Sequence, residues 1–237
     1  AQTLALASAG RAQVHGIAGV EPANTTVVDR LAVGQVVSRR VKAPLLPFAR
    51  LGASGLLGVD VLKNRRVRID FVSNQLEISS SNGGGGLPRV RASQASRLPA
   101  VDPTVVTVPA RYRFGQLIII DADVGGQKVT AFLDSGSQNT VGNMALGDLV
   151  LADPLLAVRS MVVQLISATG QTASGKLSPL PTLRLGGLRI GGMQAVFADM
   201  HIFDIWGLKD EPAILIGIDV MRHFKAIELD FGRKLVS

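Results

Sequence analysis

The sequence predicts an all-β chain built from two repeated lobes. Composition, an internal repeat and the spacing of turn residues carry that expectation. Of the 237 residues, 47% are hydrophobic, so the chain can bury a core. Its Val, Leu and Ile fall in short runs between glycines, of which there are 26, rather than in long helical stripes. No run approaches the ~20 apolar residues that a membrane-crossing helix needs.

The repeat gives the organisation. The stretch GLLGVDVLKNRRVRIDF (55–71) matches ILIGIDVMRHFKAIELDF (214–231). Gly58 aligns with Gly217, Asp60 with Asp219, Leu62 with Met221 and Lys63 with Arg222. After one inserted residue Asp70-Phe71 aligns with Asp230-Phe231. Each copy reads as an apolar strand, a glycine, a short helix, and a strand ending in Asp-Phe and a turn. Further back, VDRLAVGQVV (28–37) matches PTLRLGGLRI (181–190), alternating strands around a glycine turn. VHGIAGVEPA (14–23) matches QLISATGQTA (164–173), and both read as hairpins with a glycine at the tip. Two lobes follow, 1–80 and 111–237. The Gly-, Ser- and Pro-rich segment 81–110 lacks periodicity and reads as a flexible linker. Its Arg89, Arg91 and Arg97 read as solvated charges, with a processing site as the alternative. The opening AQTLALASAG has no basic stretch and too short an apolar part for a secretory signal, so it reads as part of the fold.

Several chemistries are excluded. There is no cysteine, hence no disulfide, thiol nucleophile or Cys-based zinc site. His15, His201 and His223 are scattered without the spacing of a metal site, so no metal is expected. The net charge of +7 is uneven: residues 1–80 hold 10 Lys and Arg against 5 Asp and Glu, residues 81–110 hold 3 against 1, and residues 111–237 balance at 12 against 12. With aromatics at 4%, bases would find few rings to stack on, and nucleic-acid binding is not expected.

The balanced segment carries the chemical signal. In AFLDSGSQNTV (131–141) an apolar strand ends in Asp134, followed by a small hydroxyl residue and a glycine. Glycine permits a tight turn and a close backbone approach. The hydroxyls can stiffen the loop, and a carboxylate at the strand end is held in poor contact with water. Two such carboxyls face to face would share one proton. One then serves as general base on a water while the other protonates a carbonyl oxygen. Taken alone, Asp-Ser-Gly is also a common turn.

Asp134-Ser135-Gly136-Ser137, followed some eighty residues later by Ile214-Leu215-Ile216-Gly217 and Asp219-Val220-Met221-Arg222, resembles the retropepsin-like aspartic proteases. Leu56-Leu57-Gly58 with Asp60-Val61-Leu62-Lys63 repeats the second element. The resemblance implies a bilobal, pepsin-like fold and an aspartic endopeptidase without cofactor, taking protein or peptide in extended form. It implies that Asp134 is a catalytic carboxylate, that Ser135, Gly136 and Ser137 support its loop, and that the apolar-apolar-Gly strand threads behind that loop. By position, Ile166, Ser167, Ala168, Thr169 and Gly170 correspond to the flap, as do His15, Gly16, Ile17 and Gly19 in the first lobe. Ordinary surface hairpins would read the same way. Asp60 and Asp219 are expected to be structural, at helix starts where an acid suits the dipole. The bacterial relatives imply an envelope, periplasmic location.

Only one Asp-Ser/Thr-Gly is present. Val33 and Leu185 are 152 positions apart, and that offset places the counterpart of Asp134 upstream of Ala1. Three arrangements follow: a first loop on a missing N-terminal fragment, which the offset favours; a homodimer pairing two Asp134 lobes; or a non-catalytic module that binds peptides or protein partners.

Overall fold

A computed structural model describes residues 6–16, 19–34, 36–51, 53–81, 105–113, 116–119, 121–167 and 169–237. The first part of the chain forms β1 (Ser8–His15), β2 (Val20–Val33), β3 (Val36–Pro44), α1 (Phe48–Leu51), α2 (Val59–Leu62), β4 (Arg65–Asp70) and β5 (Gln75–Ser80). Then come β6 (Val108–Arg113), β7 (Gln116–Ile119), β8 (Ala122–Val124), β9 (Gln127–Lys128), β10 (Thr130–Leu133) and β11 (Val141–Gly142). Helices α3 (Met144–Leu151) and α4 (Pro154–Val158) precede β12 (Met161–Ile166), β13 (Thr172–Leu180), β14 (Leu183–Leu185), β15 (Leu188–Ile190) and β16 (Met193–Phe197). Helix α5 (His201–Ile205), β17 (Ala213–Ile216), α6 (Ile218–Met221), β18 (Ala226–Asp230) and β19 (Leu235–Val236) complete the chain. Strands dominate and the helices are short, as the sequence predicts. No described helix is long and apolar enough to cross a membrane.

The strands form three sheets. β1, β2 and β3 make an antiparallel sheet of their own, and β15-β14-β8-β9 make a four-stranded one. The third has twelve strands in the order β12-β13-β16-β11-β17-β10-β7-β6-β19-β18-β4-β5. Within it β4 pairs with β18, Arg66 opposite Asp230 and Asp70 opposite Ala226, so the first part of the chain is sewn to the last. Both Asp-Phe turns are made alike: Asp70 Oδ1 accepts from the backbone N–H groups of Val72 and Ser73, and Asp230 Oδ1 from those of Gly232 and Arg233. Ser81 Oγ adds a 2.5 Å hydrogen bond to Asp230 Oδ1. Replacing Ser81 by Ala removes one donor to Asp230 Oδ1 while the two N–H donors remain. It should cost about 1 kcal/mol, read as a Tm about 2–4 °C lower.

The core sits in the second half. Phe132, Phe197, Phe203, Leu146, Leu183, Ile214, Ile216 and Met221 are all fully buried. Of residues 1–80, only Val36 and Val67 are buried apolar side chains among the described residues. β1–β3 therefore form a largely exposed sheet rather than one wall of a closed barrel, and the described strands close no barrel. Alternation in the sequence announces the strands but not a second layer to cover them. Residues 55–58, expected as the apolar strand of the first repeat, form no strand, and Leu56 is exposed. Their counterpart β17 is a strand because β10 and β11 flank it. Most of the expected linker, 82–104, lies outside the described residues. Its expected end at 110 is too late, because β6 begins at Val108, whose side chain and that of Ala110 pack into the core.

Candidate active site

β10 delivers Asp134. Phe132 and Leu133 are buried between β17, which runs parallel with Leu133 opposite Ile216, and the antiparallel β7. The strand direction then carries into the loop, where Asp134 N donates to Ile216 O at 3.0 Å. The loop closes on itself: Ser137 N donates to Asp134 O at 3.1 Å and Gly136 N to Asp134 Oδ1 at 3.0 Å. A Cβ at Gly136 would stand 3.2 Å from that same oxygen, so glycine is what allows the approach. Ser137 Oγ donates to Asn139 O at 2.7 Å, and Ser137 O accepts from Ile218 N at 2.9 Å. Ser135 is exposed and its side chain makes no hydrogen bond among the described residues.

The apolar-apolar-Gly strand does thread behind the loop. Gly217 lies so close that a Cβ there would stand 2.6 Å from the carbonyl carbon and oxygen of Asn139. Asp219 then grips the far end of the loop. Its Oδ2 accepts from Thr140 N and its Oδ1 from Thr140 Oγ1, both at 2.8 Å. Thr140 Oγ1 in turn accepts from Gly217 N at 3.1 Å. Asp219 also accepts from Val220 N at 2.9 Å, the local helix-start contact. It is structural, as expected, but its main task is to brace the Asp134 loop. Thr140 is the site residue that sequence reasoning passed over. Nothing local marks it, since its partner is 79 residues away.

Electrostatically, Asp134 differs from an ordinary carboxylate. Burial pushes its proton affinity up, opposed by the N–H groups of Gly136 and Ser137. A carboxyl that holds its proton more tightly than usual suits proton transfer near a carbonyl. Among the described residues, no group of three or more metal-binding side chains converges.

The expected flap residues lie on two hairpin tips. In the β12–β13 hairpin, Ser167 N donates to Gln171 O and Gly170 N to Ser167 O, both at 2.9 Å, with Gly170 at φ 86°. The Ser167 and Thr169 hydroxyls are 2.7 Å apart, and Ile166 is exposed. In the β1–β2 hairpin, Gly16 N donates to Gly19 O at 2.8 Å. Ala168 and Ile17 lie outside the described residues. The two tips meet: a Cβ on Gly16 would stand 2.2 Å from Gln171 Oε1 and 2.7 Å from Thr169 Oγ1. His15 Nδ1 lies 3.4 Å from His201 Nε2, at the start of α5, with the rings nearly parallel. The tips are therefore brought together with each other, while no described hydrogen bond joins either to Asp134. Replacing Gly16 by Val should part them: Gln171 can swing aside, but Thr169 Oγ1 sits on a short, buried β-branched side chain, so the exposed β1–β2 tip must move instead. The expected readout is faster proteolytic nicking at both tips with Tm within about 2 °C of the parent.

Residues 120–220 match the family model described as aspartyl protease. No curated protein matches the chain. Among solved structures it is similar to a retropepsin-like aspartic protease from Rickettsia conorii, at 17% identity and a TM-score of 0.37, covering 55% of this chain and 86% of that one. The stretch matched, 120–220, spans the Asp134 loop and the strand threaded behind it and covers less than half of the chain.

Proposed function

We propose that the protein is an aspartic endopeptidase in which Asp134 supplies one carboxyl of a two-carboxyl centre. The observation that carries this reading is the Asp134 loop itself: a strand-end carboxyl of raised proton affinity, in a turn fixed by Gly136, Ser137, Thr140 and Asp219. A water between two such carboxyls loses a proton to the ionised one as its oxygen attacks the peptide carbonyl carbon. The protonated carboxyl gives its proton to the carbonyl oxygen. Collapse of the tetrahedral species breaks the C–N bond, and the amine leaves with a proton returned by the centre. Substrate lies extended beneath the hairpins, held by main-chain hydrogen bonds.

The second carboxyl, in this reading, sits on an Asp-Ser/Thr-Gly loop packed against residues 56–60, completing a bilobal molecule. Two observations support that seat. Gly58 and Asp60 repeat Gly217 and Asp219, yet among the described residues Gly58 has only the carboxylate of Asp60 as its near neighbour, where Gly217 has the Asn139 backbone. The β4–β18 register supports it too: with Asp70 aligned to Asp230, 160 positions apart, Arg68 stands opposite Glu228, its own counterpart at the same offset, as a pseudo-two-fold axis requires. The test adds a synthetic segment of sequence 129–143 to the chain and follows cleavage of an unfolded protein. Cleavage that rises with the segment, and not with one carrying Asn for its Asp, supports the seat. Cleavage by the chain alone, varying with the square of its concentration, assigns the second carboxyl to another copy. No cleavage under any of these conditions favours a peptide-binding module, the reading that the single Asp-Ser-Gly of the sequence keeps open. An envelope location is part of the proposal, and fractionation of cells expressing the native gene checks it.

A further inference from the structure

A second feature lies at the opposite end of the strands that carry the site. β10 and β17 begin at Thr130 and Ala213 and point their far ends at Asp134. Around their near ends opens a cavity of about 490 Å³ bordered by Thr130 and Pro212. Thr130 is four residues before Asp134, about 13 Å at ~3.3 Å per residue, while Ile118, opposite Phe132, brings the cavity floor nearer.

The walls of this cavity are divided by chemistry. Ile118 and Val129 are buried and give an apolar floor. Arg111, Lys128 and Glu211 are exposed at its rim, with Tyr112 beside them. Asp121 also borders it but is already satisfied: Arg184 Nη1 and Nη2 donate to its two carboxylate oxygens at 2.8 and 2.9 Å. That pairing, helped by the charge of Lys128, holds Asp121 below the ordinary carboxylate range. Neither Arg111 nor Lys128 forms a salt bridge among the described residues. The cations of the wall, Arg111, Arg113 and Lys128, outnumber its carboxylates, Asp121 and Glu211, and over an apolar floor they match a short peptide that alternates acidic and apolar side chains. Nucleic acid is a poorer fit, since Tyr112 is the one ring among the described residues that line the cavity and bases need stacking partners.

We propose that this cavity is an exosite for acidic peptide segments. A carboxylate of the segment pairs with Arg111 and Lys128, and its apolar neighbour packs on Ile118 and Val129. Arg111 brings a planar fork suited to a carboxylate and Lys128 a point charge. Because the cavity opens around the near ends of β10 and β17, a polypeptide held there leaves the Asp134 loop free for another part of the same polypeptide.

The experiment measures fluorescence anisotropy of a labelled Glu-Leu-Glu-Val-Glu peptide titrated with the full chain at about 50 and about 300 mM salt. The expected result is saturable binding that weakens with salt. The double variant Arg111→Glu with Lys128→Glu should weaken it at least about tenfold. Lys176→Glu, on β13 away from the cavity, should leave it unchanged. The proposal is overturned if the parent chain does not bind, if the double variant binds like the parent with an unchanged Tm, or if Lys176→Glu weakens binding as much. A single-stranded oligonucleotide that competes better than the peptide also overturns it, in favour of a polyanion surface. Loss of folding in the double variant is met by Arg111→Gln, which must then give an intermediate affinity.

Discussion

Replacing Asp134 by Asn should remove cleavage of an unfolded protein while raising the stability of the fold. Loss of a positioned general acid–base is worth about 10²–10⁴ in rate, and the Gly136 contact to Oδ1 lets an amide keep the loop shape. The stability gain has a definite sign. Burial raises the folded-state pKa of Asp134 above its ordinary value of 3.8, so the folded state binds the proton more tightly than the unfolded one. The favourable contribution is complete below the unfolded value and disappears as pH climbs through the folded one. At neutral pH the ionised carboxylate is therefore a burden, and the Asn variant should melt higher. Towards pH 3.8 the two melting curves should converge. Thermal melts at several pH values check the stability effect, and gel-based cleavage assays check the activity. An Asn variant that cuts like the parent would remove Asp134 from the chemistry.

The second large effect is expected at Asp219. Its Ala variant takes away the acceptor of both Thr140 N and Thr140 Oγ1 and leaves those donors in a site where Thr140 is 1% exposed. Charge-assisted hydrogen bonds lost into a buried position should cost about 3 kcal/mol, a fall of roughly 6–12 °C in Tm. The Asp134 loop would lose the anchor at its far end, and a misplacement of about 1 Å can cost 10²-fold in rate. Thr140→Val, which keeps the N–H contact and loses only the hydroxyl, should fall between parent and Asp219→Ala in both measurements. Hydrogen exchange at residues 134–140 separates loosening of the loop from general unfolding: protection should drop there first. Full protection in that segment with lost activity would mean that Asp219 does something other than brace it.

The part of the site that is local in sequence was legible. Asp134 betrays itself by standing where an apolar run stops, with Gly136 two residues on. β17 and α6 were legible because residues 55–62 spell the same pattern twice in one chain. What stayed hidden depends on chain segments that meet only after folding. Thr140 is an ordinary β-branched residue until Asp219 arrives from 79 residues away. His15 meets His201 across 186 residues, and the sequence offers no cue for it. That the described strands of residues 1–80 close no barrel was hidden for a related reason. Alternating residues in β2 and β3 specify strands, but a barrel needs a second layer of apolar side chains. Val36 and Val67 are the buried ones that the described part of residues 1–80 provides.

The pairing of β4 with both β5 and β18 bears on what happens when the backbone is cut. A break anywhere in 82–104 yields two polypeptides, one ending with β5 and one beginning before β6. Five residue pairs of the β4–β18 ladder, the packing of Val67 into the main core and the Ser81–Asp230 hydrogen bond all join the two pieces without using the severed connection. Such a nicked protein should travel as one particle on a sizing column and separate only in denaturant. The two halves, expressed as individual chains, should then reassemble by fragment complementation.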